Sequence, residues 1–190
     1  MIALPAFLPS ASFLSACRAL LAAMALLALA GCAGAPPLPV RDAGFSLPRQ
    51  LHVVQTAPGQ PAVDLLLVVQ REDAALRWSL FDPMGVPQAR QMLEGGKWRN
   101  DGFMRPNAQA RDLFAALMFA WTPQADLDAA YGAASWRAAP SQAGPAQRML
   151  LQDGRVRWTV TFPADTQNQA LTIRSANDVT WRITPLKEQP

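Results

Sequence analysis

The stretch QRMLLQDGRVRWTVTF, residues 147–162, constrains the fold more than any other part of this sequence. Asp153-Gly154 separates two apolar-rich runs, and Asp-Gly in that position is typical of a two-residue β-hairpin turn. In the second run apolar and polar residues alternate, which indicates a strand with one covered face and one wet face. The apolar set is Val156, Trp158, Val160 and Phe162. The stretch therefore predicts a hairpin within an antiparallel sheet.

Comparable runs lie on both sides of this hairpin, and short turn signals such as Gly95-Gly96 separate them. They cover residues 50–56, 62–71, 75–82, 86–93, 97–103, 169–175 and 179–186. Short turns between successive strands favour an antiparallel meander over parallel βαβ units. We expect a mainly β fold of the α+β class, built on one curved antiparallel sheet.

One central segment breaks the β pattern. Asn107 follows a proline and is suited to cap a helix that begins near Ala108. Every residue from Leu113 to Trp121 is apolar, and a helix that is apolar on all sides is buried or faces an apolar partner. A second short helix is expected over residues 123–132, where Gly132 ends it. We expect this helical pair to form a plug or a lid on the concave face of the sheet.

The N-terminal segment has the organisation of a bacterial lipoprotein signal. Arg18 precedes an unbroken apolar run, Ala19–Ala30, which is shorter than the ~20 residues that a membrane-spanning helix needs. Leu29-Ala30-Gly31-Cys32 then resembles the lipobox, which implies cleavage before Cys32 and acylation of that residue. The alternative is an ordinary signal peptide that contains a cysteine. Ala33, instead of aspartate, follows the cysteine, and the same resemblance implies a lipid anchor in the periplasmic leaflet of the outer membrane.

These features predict three parts of the chain: a signal peptide over residues 1–31, lipidated Cys32 with a tether up to residue 45, and a single β domain over residues 46–190. The tether is rich in proline and glycine, a composition that predicts a segment without packing contacts. Cys17 leaves with the signal and Cys32 carries lipid, so no thiol remains for a disulfide or a metal.

The charge and the polar residues exclude several classes of function. Of 17 Lys and Arg residues, Arg18 leaves with the signal, and 14 Asp and Glu residues then leave a net charge of +2 without a basic cluster, so no nucleic-acid partner is expected. His52 is the only histidine and has no cysteine or second histidine to complete a metal site. Asp126 and Asp128 are two residues apart on a helix and do not share a face. We therefore predict that the protein is not an enzyme and that it binds neither a metal nor a cofactor.

Several motifs together resemble a known family. The most specific are LFDPMG (80–85) and LMFAWTPQADL (117–127), set between a lipobox and a β-rich C-terminus. The order is similar to an uncharacterised family of proteobacterial outer-membrane lipoproteins related in fold to LolA and LolB, the periplasmic lipoprotein carriers. The resemblance covers about residues 45–186 and implies an incomplete antiparallel barrel that helices close around an acyl-binding cavity. Residues 56–63 or 82–87 are the two alternatives for the exposed apolar loop of LolB.

Aromatic and long apolar side chains are the candidates for the lining of such a cavity, since pockets for these ligands are mostly apolar. The candidates are Trp78, Phe114, Leu117, Met118, Trp121, Trp158 and Trp181. The alternative is that these residues form an ordinary packed core. Arg77 and Arg157 are weaker candidates for binding an anionic head group, against the alternative of a solvated sheet face.

Two hypotheses follow for the function. In the first, the protein binds an acylated or hydrophobic molecule, such as a lipoprotein, a glycolipid or an aryl polyene-type lipid, and delivers it at the outer membrane. A periplasmic carrier is then an expected partner. In the second, the protein is an assembly adaptor of an envelope machine, with a fully packed interior and no ligand.

Overall fold

The computed structural model of the protein describes residues 34–41, 44–139, 145–163 and 170–186. Within these ranges the main feature is one ten-stranded antiparallel sheet with two short α-helices. The predicted signal peptide and the lipidated Cys32 lie outside the described residues. The mainly β class and the antiparallel sheet are confirmed, and the sheet is open and not closed into a barrel.

The strands form two successive meanders of five strands each. The first contains β1 (Arg49–Thr56), β2 (Val63–Glu72), β3 (Ala75–Phe81), β4 (Pro87–Glu94) and β5 (Lys97–Asn100). The second contains β6 (Trp136–Ala139), β7 (Gln147–Gln152), β8 (Arg155–Thr161), β9 (Leu171–Ser175) and β10 (Thr180–Pro185). Pairing between β1 and β10 joins them, so the order across the sheet is β5-β4-β3-β2-β1-β10-β9-β8-β7-β6.

The predicted hairpin at residues 147–162 is present as β7 and β8. Asp153 and Gly154 have φ values of 52° and 74°, as a two-residue turn with two left-handed residues requires. The sequence did not predict β6, which pairs with β7 and forms one edge of the sheet. Its four residues, WRAA, include two alanines and are too few for a clear alternation.

Helix α1 spans Ala108–Trp121, close to the predicted limits. The Asn107 side chain accepts a hydrogen bond from the Ala110 backbone N–H at 3.0 Å, which confirms the predicted cap. At the other end, the Thr122 hydroxyl donates to the Met118 carbonyl at 2.8 Å. The apolar stretch of α1 is buried from Leu113 to Ala120, as expected for a helical stretch without polar residues.

The contacts of α1 show that the sheet is strongly curved. Phe114 stacks on Trp78 of β3 at a centroid distance of 5.0 Å, and Phe119 lies 6.5 Å from Trp158 of β8. Strands β3 and β8 are five positions apart in the sheet, about 24 Å if the sheet were flat. Residues 114 and 119 are separated by only about 7.5 Å along the helix and point to nearly opposite sides. The sheet must therefore wrap around α1.

The second predicted helical region is shorter than expected. It consists of a 3-10 turn at Gln124–Asp126, helix α2 at Leu127–Tyr131, and a further 3-10 turn at Ala133–Ser135. Gly132, with φ of 85°, ends α2 by donating its N–H to the Asp128 carbonyl. None of the helices in the described parts of the chain combines the length and the apolar character needed to cross a membrane.

The segment that precedes β1 packs on the domain. Leu38, Phe45 and Leu47 are half-buried against the core, and the Val40 N–H donates to the Ala130 carbonyl of α2 at 2.9 Å. The compact unit that contains the sheet begins at Pro36. The proline-rich composition did not anticipate these contacts, because the prediction treated residues up to 45 as a tether without packing.

Candidate functional site

Six of the seven candidate lining residues lie in the packed interior and do not border the pocket described below. Trp78, Phe114, Leu117, Trp158 and Trp181 are at most 1% exposed. Trp78 stacks between Phe114 and Trp121, and the Trp181 indole N–H donates to Gln55 Oε1 at 2.9 Å. Trp121 is half-buried. The core alternative thus describes the surroundings of these six side chains in the structure.

The seventh candidate, Met118, borders a pocket of about 540 Å3. We call it the N-terminal pocket, because the segment before β1 forms one of its walls. Its apolar wall consists of Leu38, Val40, Phe45, Leu76, Leu93 and Met118. The sequence did not predict this site: Leu38, Val40 and Phe45 lie in the segment that was expected to remain unpacked.

Strand direction explains why these elements meet. In an antiparallel sheet, alternate turns lie at the same end. The turn from β2 to β3, the turn from β4 to β5 and the start of β1 therefore share one end of the sheet, which we call the pocket end. Gly95 and Gly96 form the second of these turns with φ values of 55° and 72°, and both border the pocket. Ala74, in the first turn, is exposed and also borders it.

The lining of the pocket changes from apolar to charged between its buried base and its opening. Met118, Leu76 and Leu93, at its base, are at most 9% exposed. Arg41 and Arg71 also line it, and both are exposed to solvent. The described lining residues include no Asp or Glu. The base of the pocket is therefore apolar, and the charged groups at its opening are cations.

The two arginines suggested by sequence lie elsewhere, in ion pairs with carboxylates of the protein. Arg77 pairs with Glu72 and, at 3.0 Å, with Asp101. Arg157 pairs with Asp112 of α1. Neither arginine borders the N-terminal pocket. The head-group role assigned to them stays a prediction, and their observed contacts anchor α1 and the β2–β3 hairpin.

Arg148 of β7 is a buried charged residue that the sequence analysis missed. Its side chain is 9% exposed and its Nη1 donates to the carbonyls of Phe119 and Thr122 at 3.1 and 2.8 Å, at the end of α1. Burial lowers the pKa of Arg148 and raises that of the neighbouring Tyr131. Arg148 stands two residues before the inward-facing Leu150, so strand alternation was the signal that placed it inside.

The remaining polar candidates show no catalytic arrangement. His52 Nε2 lies 2.8 Å from Asp64 Oδ1 on the solvent side of the sheet, and Asp128 accepts a hydrogen bond from the Trp136 indole. In the described residues, no group of three or more His, Cys, Asp or Glu side chains is placed to hold a metal ion.

One known protein family matches most of the described domain. Residues 49–186 match the family described as "Protein of unknown function (DUF3261)". The chain belongs to this family. The match spans all ten strands and both helices. The N-terminal pocket thus combines family residues such as Leu76 and Met118 with a wall, residues 38–41 and Phe45, that lies before the matched region. No curated protein matches the sequence.

Proposed function

We propose that this DUF3261 protein is a lipid-anchored carrier that binds an acyl chain, or a molecule of similar apolarity, in the N-terminal pocket. The observation that supports the proposal is the pocket itself: about 540 Å3 of space with a mainly apolar base beside the apolar part of α1. Ligand pockets generally measure about 300–1,000 Å3. Met118 at the base is a side chain that adapts to ligands of variable shape.

The energy of such binding favours passive transfer. Each buried CH₂ group contributes about 0.8 kcal/mol, so a chain of 14 to 16 carbons gains about 11–13 kcal/mol of gross transfer free energy. A bilayer provides a similar gain. We therefore propose that the protein exchanges its ligand with a donor and with the membrane, and that no covalent step is needed.

The position of the pocket suits this role. We propose, from the lipobox resemblance, that Cys32 anchors the protein to the periplasmic leaflet of the outer membrane. Leu38 is six residues from Cys32, and an extended chain of that length spans about 20 Å. The pocket opening would thus lie close to the membrane surface. A LolA/LolB-like carrier relationship, with delivery of a lipoprotein, glycolipid or aryl polyene-type lipid, is consistent with this geometry and belongs to the same proposal.

The carrier proposal is tested by filling the pocket. The Cys32→Ser protein, which has no acyl chain of its own, is purified without detergent and examined by native mass spectrometry and by uptake of a fluorescent fatty acid. We expect a bound lipid mass, and we expect Ala74→Trp to reduce uptake at least tenfold. Ala62→Trp, at the other end of β2 and also exposed, is the matched control. Unchanged uptake in folded Ala74→Trp would refute the pocket as the site.

One observation favours the adaptor as a second candidate function. The turn between β3 and β4 presents Met84, 87% exposed, and Phe103 after β5 is fully exposed at the same end of the sheet. An exposed apolar patch can mark a protein–protein contact surface, and the adaptor hypothesis places its partner at this end. The adaptor predicts one stoichiometric envelope partner that cross-links to this end and is lost in Met84→Ser/Phe103→Ser. Retention of the partner in that variant would count against it.

A further inference from the structure

We infer that Phe45 forms the end wall of the N-terminal pocket and limits the length of the acyl chain that the pocket accepts. The inference rests on the carrier function proposed above and adds the residue that selects among ligands by length. Phe45 lies shortly before β1, in the segment that the sequence did not predict to pack, and it is half-buried against the core.

A stack of aromatic rings supports this wall from behind. Phe45 borders the pocket, and the centroid of its ring lies 5.1 Å from that of Trp121, the last residue of α1. Trp121 lies nearly parallel to Trp78 at 5.9 Å, and Trp78 stacks on Phe114 at 5.0 Å. Trp78 and Phe114 are fully buried, and side chains in a close-packed interior give little room for movement. A chain that reaches Phe45 therefore cannot push the Trp121 ring toward the interior.

The opposite side of the pocket is built from small residues. Ala74 and Gly95-Gly96, in two turns at the pocket end, border the pocket and are exposed. A Cβ atom added to either glycine would meet no other atom within 4 Å, so the space beside this turn is open. An acyl chain thus has room to enter past these turns, and its tip then points toward the aromatic wall.

A second recess lies beyond the wall. Arg49 Cζ lies over both rings, 4.5 Å from the Trp121 centroid and 5.9 Å from the Phe45 centroid. Arg49 also borders a recess of about 400 Å3, together with Ser46 and Leu51. Arg49 Nε donates to the Ser46 carbonyl at 3.0 Å, which fixes this side of the wall to the start of β1. Phe45 thus stands between two recesses, and we expect the loss of its ring to lengthen the first toward the second.

The test measures affinity against chain length. The full chain carrying Cys32→Ser is titrated with saturated fatty acids of about 10 to 22 carbons, in competition with a fluorescent fatty acid. While a chain still fits, each added CH₂ group should strengthen binding about fourfold. We expect this gain to stop at the length at which the tip meets Phe45.

Variants of Phe45 should move this limit. Phe45→Ala should extend it by about two carbons or more, because the surroundings of a truncated side chain relax only partially, and Phe45→Leu should extend it less. Phe103→Ala removes a fully exposed phenylalanine at the other end of the sheet and is the matched control, which should keep the limit of the unmodified pocket.

The outcomes separate the wall from the carrier function. An unchanged limit in folded Phe45→Ala, with or without a uniform loss of affinity at every length, would overturn the role of Phe45 and leave the carrier function standing. Binding of none of the acids would overturn the carrier function and the inference with it. If Phe45→Ala does not fold, Phe45→Trp decides instead: its larger ring should shorten the limit, and the same limit as in the unmodified pocket would contradict the inference.

Discussion

The two ends of the sheet differ in what they present to solvent. At the pocket end, the turns that carry Ala74 and Gly95-Gly96 enclose a recess of about 540 Å3, and cations lie at its opening. At the opposite end, Asp82 Oδ1 accepts from the backbone N–H groups of Met84 and Val86, both at 2.9 Å, and this ordered turn displays Met84 to water. The pocket end therefore offers a recess with an apolar base. The opposite end, which we call the convex end, displays the apolar side chain of Met84 to water.

The course of α1 explains the difference. The helix starts at the convex end, where the Asn107 side-chain amide donates to the Gln88 carbonyl at 3.4 Å, and finishes at the pocket end beside Arg148. Along this path its side chains fill the interior of the curved sheet, so little space remains between the ends. The N-terminal pocket lies where Met118 of this helix and the segment before β1 border the same space. The comparison indicates that the interior stabilises the fold, whereas the surfaces that we propose for binding lie at the ends.

The largest expected effect comes from charging the interior. Phe114→Asp places a carboxylate among Trp78 and Trp98, and we expect it to cost about 4 kcal/mol or more of unfolding free energy. Phe103→Asp makes the same chemical change at a fully exposed site and should leave the denaturation midpoint unchanged. Urea unfolding followed by tryptophan fluorescence measures both. Similar losses in the two variants would remove the distinction between interior and end.

A smaller loss is expected where α1 meets the pocket end. Arg148→Met removes the donor to the carbonyls of Phe119 and Thr122 and leaves buried acceptors unpaired, which should cost about 2–4 kcal/mol. Hydrogen exchange should show the effect first in the last turn of α1. Arg182→Met is the control on an exposed strand position. If exchange accelerates equally along the whole helix, Arg148 is not a local anchor.

A smaller loss of stability than for Arg148→Met is expected at the other end of the helix, where Asn107 forms the N-cap. Asn107→Ala removes the bond from the Ala110 N–H, and a lost N-cap of this kind costs about 1 kcal/mol. Asn107→Asp and Asn107→Ser retain an acceptor and should recover most of that loss. Thermal unfolding of the three variants gives the comparison. A larger loss at this end than for Arg148→Met would reverse the ranking of the two helix ends.

The features that were predictable from sequence are those that depend on near neighbours. Period-two alternation located nine strands, and the Asp153-Gly154 turn and the Asn107 cap were identified from residue type alone. Three features depend on distant contacts and were not predictable: the pairing of β1 with β10, the short edge strand β6, and the packing of Leu38 and Phe45 against the core. The N-terminal pocket follows from the first and third of these. Local periodicity therefore identified the covered faces of the strands and missed the recess, and Trp78, Trp158 and Trp181, which we expected to line a cavity, are buried in the core.

The smallest expected effect on stability tests the convex end itself. Met84→Ser changes a side chain that is 87% exposed and makes no contribution to the buried core, so its unfolding midpoint should match that of the unmodified protein. Fatty-acid uptake should also be unchanged, since Met84 and the pocket lie at opposite ends of β3. Parallel measurements of midpoint and uptake provide the check, with Ala74→Trp as the variant that alters uptake alone. Should Met84→Ser impair uptake while the midpoint holds, the two ends would be coupled, and the convex turn would belong to the route by which the ligand reaches the pocket.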